Sequence, residues 1–180
     1  MYTYEEEVIH FVFLAYQGKK RRKENIDLAF HSIMVGNMLK NIGCDEFTVT
    51  VGYLHDIIED SQYTYDHLYK KYGKEIADAV LSISEDMTIN DFIERKRKFI
   101  SNLSKANENI IMVELADKLQ NLISDYHFYL EGGKDRLKEK YGDFEYITWY
   151  YKELKKLFNN KLKDNELLRR YNQIVDLYFN

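Results

Sequence analysis

Residues 51–60 read VGYLHDIIED, and the spacing inside this stretch decides what kind of chain it belongs to. Taken as the C-terminal half of a helix over about 46–60, it sets Glu59 four residues after His55 and Asp60 four after Asp56. Residues four apart share a helix face. With His55 at zero and about 100° per residue, Glu59 falls near 40°, Asp56 near 100° and Asp60 near 140°. Phe47, Val51, Leu54 and Ile58 lie on the other side, between about 260° and 320°. One edge of an otherwise buried helix thus collects three carboxylates and an imidazole. A helix C-terminus carries partial negative charge, so this crowding costs energy unless a positive charge offsets it. A solvated acidic helix end is the plainer reading. Two details favour a bound divalent cation: His55 stands beside an acid at the border of the apolar face, and Gly52, one turn earlier, leaves room for a ligand.

The helical period continues on both sides. Helices are expected over about 3–16, 26–41, 65–72, 74–84, 90–103, 108–130, 143–159 and 164–178. Asn25 or Asp27, Asp45, Thr64, Asn90 and Asn107 signal starts; Gly18, Gly43, Gly73 and Gly132–Gly133 signal stops. Nothing alternates with period two for long enough to form a strand. The chain reads as all-α, a single-domain helical bundle over residues 1–180.

Composition narrows the class. The 180 residues suit one domain with a real core, and no segment differs enough to serve as a linker. Cys44 is the lone cysteine, which excludes a disulfide framework and a cysteine-rich zinc site. Glu5, Glu6 and Glu7 occupy the place where a signal peptide needs basic residues, no apolar run approaches the ~20 residues that cross a bilayer, and the cytoplasm is the expected compartment. A net charge of −4 argues against general nucleic-acid binding.

His31 sits in the middle of the stripe formed by Leu28, Met34, Val35, Met38, Leu39 and Ile42. A buried imidazole needs partners for both nitrogens, so it is either a core histidine bonded to backbone or a metal ligand. In ELADKLQNLISDY, residues 114–126, Asp117 and Asn121 share a face, but Asp117 points away from the stripe of Ile111, Met112, Leu115, Leu119, Leu122 and Tyr126. By periodicity Asp117 is a surface acid, although Ile110 and Val113 flank it. The basic run at 19–23 is either a solvated loop or a clamp in which arginine stacks on a base and lysine meets phosphate. Lys118 and the run at 94–98 are weaker candidates of that kind. Trp149, Tyr150, Tyr151, Leu154, Leu157, Phe158, Leu167, Leu168, Tyr171, Val175 and Tyr178 read as packing residues, with a homo-oligomer interface as their secondary use.

A histidine at 31, HDIIED at 55–60 and LADKLQNL at 115–122 stand in order. This arrangement resembles the HD-domain superfamily of metal-dependent phosphohydrolases, whose pattern is H…HD…D. The HDxxED form and the LADKLxN segment look like the hydrolase domain of RelA/SpoT-type proteins, which removes the 3′-pyrophosphate from (p)ppGpp. NIGCDEFTVTVGYLHDIIEDS and YGKEIADAVLSISEDM also read like that family, and the likeness covers about residues 8–130, with a helix pair at about 143–178 following. Two departures are visible: LAFHS stands where the family reads PYxxHP, and the basic run is offset by a residue.

The resemblance implies a bundle of the HD-domain type and a set of roles. His31, His55, Asp56 and Asp117 would be metal ligands, and Glu59 and Asp60 would position and activate the attacking water. Asn121 would contact the nucleotide; Arg21, Arg22 and Lys23 supply the base and phosphate contacts, with Lys118 as a further candidate. The cofactor would be a divalent metal, usually Mn²⁺, with Fe, Co or Zn also compatible with two histidines and two carboxylates. No synthetase domain accompanies the region, so a stand-alone small hydrolase is expected. Hydrolysis of another nucleotide, by a 5′-nucleotidase or nucleoside-triphosphate hydrolase, is the alternative; a non-catalytic nucleotide-binding module is a third.

Overall fold

In the computed structural model, which describes residues 2–21 and 25–180, the chain is helical. In chain order the helices are α1 (Tyr4–Ala15), α2 (Leu28–Asn41), α3 (Glu46–Leu54), α4 (Ile57–Asp60), α5 (Tyr65–Tyr72) and α6 (Lys74–Ser82). They continue with α7 (Phe92–Leu103), α8 (Glu108–Ser124), α9 (Tyr126–Tyr141), α10 (Phe144–Lys161) and α11 (Glu166–Phe179). Among the described residues there is no strand, only an isolated antiparallel bridge between Lys20 and Asp27. Asp45 and Asn107 cap α3 and α8 by accepting from Thr48 and Ile110 N–H groups, as their positions in the sequence suggest.

α8 is the axis of the bundle. It packs against α2, α3, α10 and α11, so it has no wet face. Ile110, Val113 and Leu119 are buried together with Glu114, Asp117 and Gln120. Asp117 is therefore a core acid and not the surface acid its place off the stripe suggested: an amphipathic period reports one partner, and α8 has partners all round. The aromatic residues of α10 and α11 are spent inside the chain. Tyr178 donates to the Leu122 carbonyl at 3.2 Å, and Tyr171 to the Tyr151 carbonyl at 3.1 Å.

α2 and α3 cross closely because of two glycines. A Cβ on Gly52 would meet Leu39 Cδ1 at 2.4 Å and Gly36 Cα at 3.3 Å, and one on Gly36 would strike the Tyr53 ring. Gly52 thus makes room for a neighbouring helix and not for a ligand.

The helix expected over 46–60 is interrupted. α3 ends at Leu54, Asp56 adopts φ −95°, ψ 2°, and α4 begins at Ile57. Asp56 stands before the single turn of α4, so of the three acids expected at an unfavourable helix end only Glu59 and Asp60, its last two residues, remain at one. The break also turns Asp56 independently of the α3 wheel. One other expected boundary differs, since residues 108–130 divide into α8 and α9 around Asp125; Gly132 and Gly133, with non-helical backbone, break α9 into two helical pieces where the sequence signalled a stop.

Candidate metal centre

Three helices deliver four donors to one point. His31 comes from the first turns of α2, His55 and Asp56 from the break after α3, and Asp117 from the middle of α8. Each offers one ligand atom, and these atoms lie within 4.8 Å of one another. His31 Nε2 is 3.1 Å from His55 Nε2 and 3.0 Å from Asp117 Oδ1. His55 Nε2 is 3.0 Å from Asp56 Oδ2 and 3.6 Å from Asp117 Oδ1, while His31 Nε2 to Asp56 Oδ2 is 3.5 Å.

The tautomers follow from the outer nitrogens. His55 Nδ1 is 2.9 Å from the Gly52 carbonyl, which only accepts, so this nitrogen carries the proton. His31 Nδ1 donates in a short contact to Gln120 Oε1, which also accepts from Arg21 at 2.9 Å. In their neutral forms both rings face each other through Nε2 lone pairs, against two carboxylates. That set is repulsive without a positive centre. Burial works against charging any of the four, yet Asp56 and Asp117 hold both imidazoles above their ordinary value, the histidines hold the Asp56 carboxyl below its own, and Lys118 ahead of the histidines does the same for Asp117. The donor separations fit a small cation: ligands about 2.1 Å from an ion lie about 3.0 Å apart at right angles and about 3.4 Å apart in a tetrahedron.

The surroundings lock the donors. Asn121 Nδ2 donates to Asp117 Oδ1 at 2.7 Å, and Lys118 Nζ meets Asp117 Oδ2 at 2.5 Å. Lys118 also lies 3.1 Å from Glu114, whose buried carboxyl is pushed up to about 7 despite that lysine. Lys118 therefore lies against the metal-site carboxylate and the core. Arg21 NH2 donates to Asn121 Oδ1 at 3.0 Å, so the basic loop reaches the metal residues through Gln120 and Asn121. Arg22 and Lys23 lie outside the described residues.

Glu59 and Asp60 border the cluster with partly exposed side chains. Burial against protein, reinforced by the Asp56 charge, pushes Glu59 up to about 7 and raises Asp60. The Glu85 backbone N–H donates to Glu59 Oε1 at 2.9 Å, and Lys19 Nζ donates to the Asp60 carbonyl at 2.5 Å. Sequence reasoning missed Gln120 and Glu85. The demand of a buried His31 for a second partner was a signal for Gln120, since a glutamine three residues after Asp117 is the amide within reach. For Glu85 there was none, because its backbone does the work.

The sequence pattern of the HD domain family matches residues 9–127. The chain belongs to the HD domain family. The cluster of His31, His55, Asp56 and Asp117 falls wholly within the matched region. Among similar proteins, guanosine-3′,5′-bis(diphosphate) 3′-pyrophosphohydrolase MESH1 of Drosophila melanogaster is 31% identical over 108 residues, covering 58% of this chain and 60% of that protein. The Aquifex aeolicus guanosine-3′,5′-bis(diphosphate) 3′-pyrophosphohydrolase is 29% identical over 126 residues, covering 68% of this chain and 18% of that protein. The probable GTP diphosphokinase RSH3 of Oryza sativa subsp. japonica is 29% identical over 118 residues; 60% of this chain spans only 16% of that protein's length. The HD domain architecture recurs in the structure of a metazoan ortholog of SpoT, with a TM-score of 0.78 at 20% identity, over 98% of this chain and 96% of the other. A second structural match, lmo0812 of Listeria monocytogenes EGD-e, gives a TM-score of 0.76 at 25% identity, over 89% and 100% of the two chains.

Proposed function

We propose that this HD domain is a metal-dependent phosphohydrolase that removes the 3′-pyrophosphate from guanosine tetra- or pentaphosphate. The observation that carries the reading is the convergence of His31, His55, Asp56 and Asp117 with Glu59 and Asp60 bordering them and Arg21 tied in from the other side. The names of the fly and Aquifex relatives favour this substrate over other nucleotides.

His31, His55, Asp56 and Asp117 would hold a divalent cation, Mn²⁺ in this reading. A bound cation polarises a phosphoryl oxygen and lowers the pKa of water beside it. The remaining work falls to the chain. Glu59, pushed up to about 7, is suited to accept the proton of an attacking water at neutral pH. Asp60 orients that water. Arg21 and Asn121, hydrogen-bonded to each other, present a guanidinium plane and an amide to the nucleotide, and the Arg21 charge offsets charge developing on phosphorus. The break between α3 and α4 leaves Glu59 and Asp60 outside the donor set of His31, His55, Asp56 and Asp117, where they would border a bound cation.

Turnover of a nucleotide panel with Mn²⁺, by the wild type and Glu59→Gln, tests the reading. Pyrophosphate released from ppGpp by the wild type alone supports it. Orthophosphate from mononucleotides would replace it with a nucleotidase, and no turnover of any nucleotide with a binding module.

A further inference from the structure

We propose that Glu85 is a positioning residue for Glu59: Arg95 and Lys96 clamp its side chain so that its backbone N–H is held against the Glu59 carboxylate. The proposal rests on the hydrolase reading, which gives Glu59 a proton to take.

The contact spans 26 residues of sequence and joins two segments that no helix connects. Glu85 N donates to Glu59 Oε1 at 2.9 Å from the irregular stretch 83–91 between α6 and α7. Such a stretch has no ladder of its own to hold an amide in place. What fixes it is α7. Arg95 Nε donates to Glu85 Oε2 at 3.0 Å, Lys96 forms a short ion pair with Glu85 Oε1, and the three side chains are each only 13% exposed. Arg95 also donates to the Ile89 carbonyl at 2.8 Å, so one guanidinium pins the stretch at two points. Both cations are braced by rings: Arg95 lies 5.2 Å from the centre of Phe92, and Lys96 4.7 Å from the centre of Tyr150. Two of the charges in the run at 94–98 are therefore committed inward. They brace the stretch, and they do not serve as the phosphate clamp that composition suggested.

The consequence for Glu59 is geometric. A carboxylate on a partly exposed side chain samples several rotamers, and one amide hydrogen bond to Oε1 fixes one oxygen and leaves Oε2 open. The bond also favours the ionised form, which has to be present to accept a proton. Among the described residues Asp56 on its own segment, Lys118 from α8 and Glu85 itself act on the Glu59 charge, and Asp86 and Lys98 line the same cleft. The two lysines are already engaged, Lys118 with Asp117 and Glu114 and Lys98 with Asp86. The amide is thus the contact that sets the orientation of the Glu59 carboxyl.

Four variants of the full chain decide the matter: Glu59→Ala, Glu85→Gln, Arg95→Ala and Arg95→Lys, each checked for a cooperative melt. The readouts are hydrogen exchange at the Glu85 amide, the Glu59 titration followed by carboxyl carbon NMR, and the pH profile of kcat and KM. Glu59→Ala is expected to speed Glu85 amide exchange about tenfold, because its acceptor is gone. Arg95→Ala is expected to do the same, to move the Glu59 titration upward, and to lower kcat roughly tenfold with KM within about twofold. Glu85→Gln, which keeps the amide and weakens the clamp, should give a smaller change in the same direction. Arg95→Lys keeps a charge for Glu85 and should restore most of both effects. An amide exchange rate indifferent to Glu59→Ala overturns the proposal, as does a kcat loss in Arg95→Ala with no movement of the Glu59 titration, which would mark the clamp as serving stability alone. A wild type that releases no pyrophosphate defeats the hydrolase reading by itself, while exchange and titration still decide whether Glu85 holds Glu59.

Discussion

His31 and His55 turn their Nε2 atoms toward each other at 3.1 Å, while each Nδ1 is bound to an oxygen that can only accept. In neutral rings two lone pairs at that separation, fenced by Asp56 and Asp117, call for a cation between them, a proton or a metal ion. The predicted result is linkage: Mn²⁺ at about 100 times its dissociation constant should stabilise the wild type by about 2.7 kcal/mol. His55→Ala should lose that gain and change little in EDTA. Melting curves in both buffers check it, and equal losses in the two would mark His55 as a packing residue.

Gln120 accepts from His31 and Arg21 at once, so it sets a metal ligand's tautomer and anchors the basic loop with one oxygen. Gln120→Leu keeps bulk and removes the acceptor. Partners of this kind are typically worth about 10- to 100-fold in metal affinity. Calorimetric titration with Mn²⁺ should show a loss in that range; an unchanged affinity would mean that His31 is oriented by packing alone.

Glu59 is raised to about 7, first by burial and then by the Asp56 charge. A base works deprotonated, so turnover should climb with pH through an acid limb at or below about 7, because a bound cation nearby lowers the value further. Glu59→Gln should remove this limb and cut kcat by about 10²- to 10⁴-fold. A pH profile of the variant that keeps the limb would assign it to another group.

Gly52→Ala places a methyl 2.4 Å from Leu39 Cδ1 and 3.3 Å from Gly36 Cα. Leu39 is fully buried and has little room to retreat, so the substitution should cost about 1–3 kcal/mol. It should also weaken Mn²⁺ binding, since α2 and α3 carry both histidines. Denaturant melts and metal titration test the two effects separately.

What the sequence determined by itself was the helical period, the all-α class and the ordered set His31, His55–Asp56 and Asp117. Those rest on local chemistry: spacing along a helix and the identity of metal-binding side chains. Only the tertiary structure decided how the set meets. Asp117 looked like a surface acid because periodicity registers one apolar face, whereas α8 is enclosed on all sides. Asp56 left the wheel of its own helix because the chain breaks after Leu54, a bend that neighbouring residues do not announce. Gln120 and the Glu85 amide entered through contacts 89 and 26 residues long, and distances of that kind are set by packing, since no short-range pattern encodes which buried nitrogen will need which oxygen.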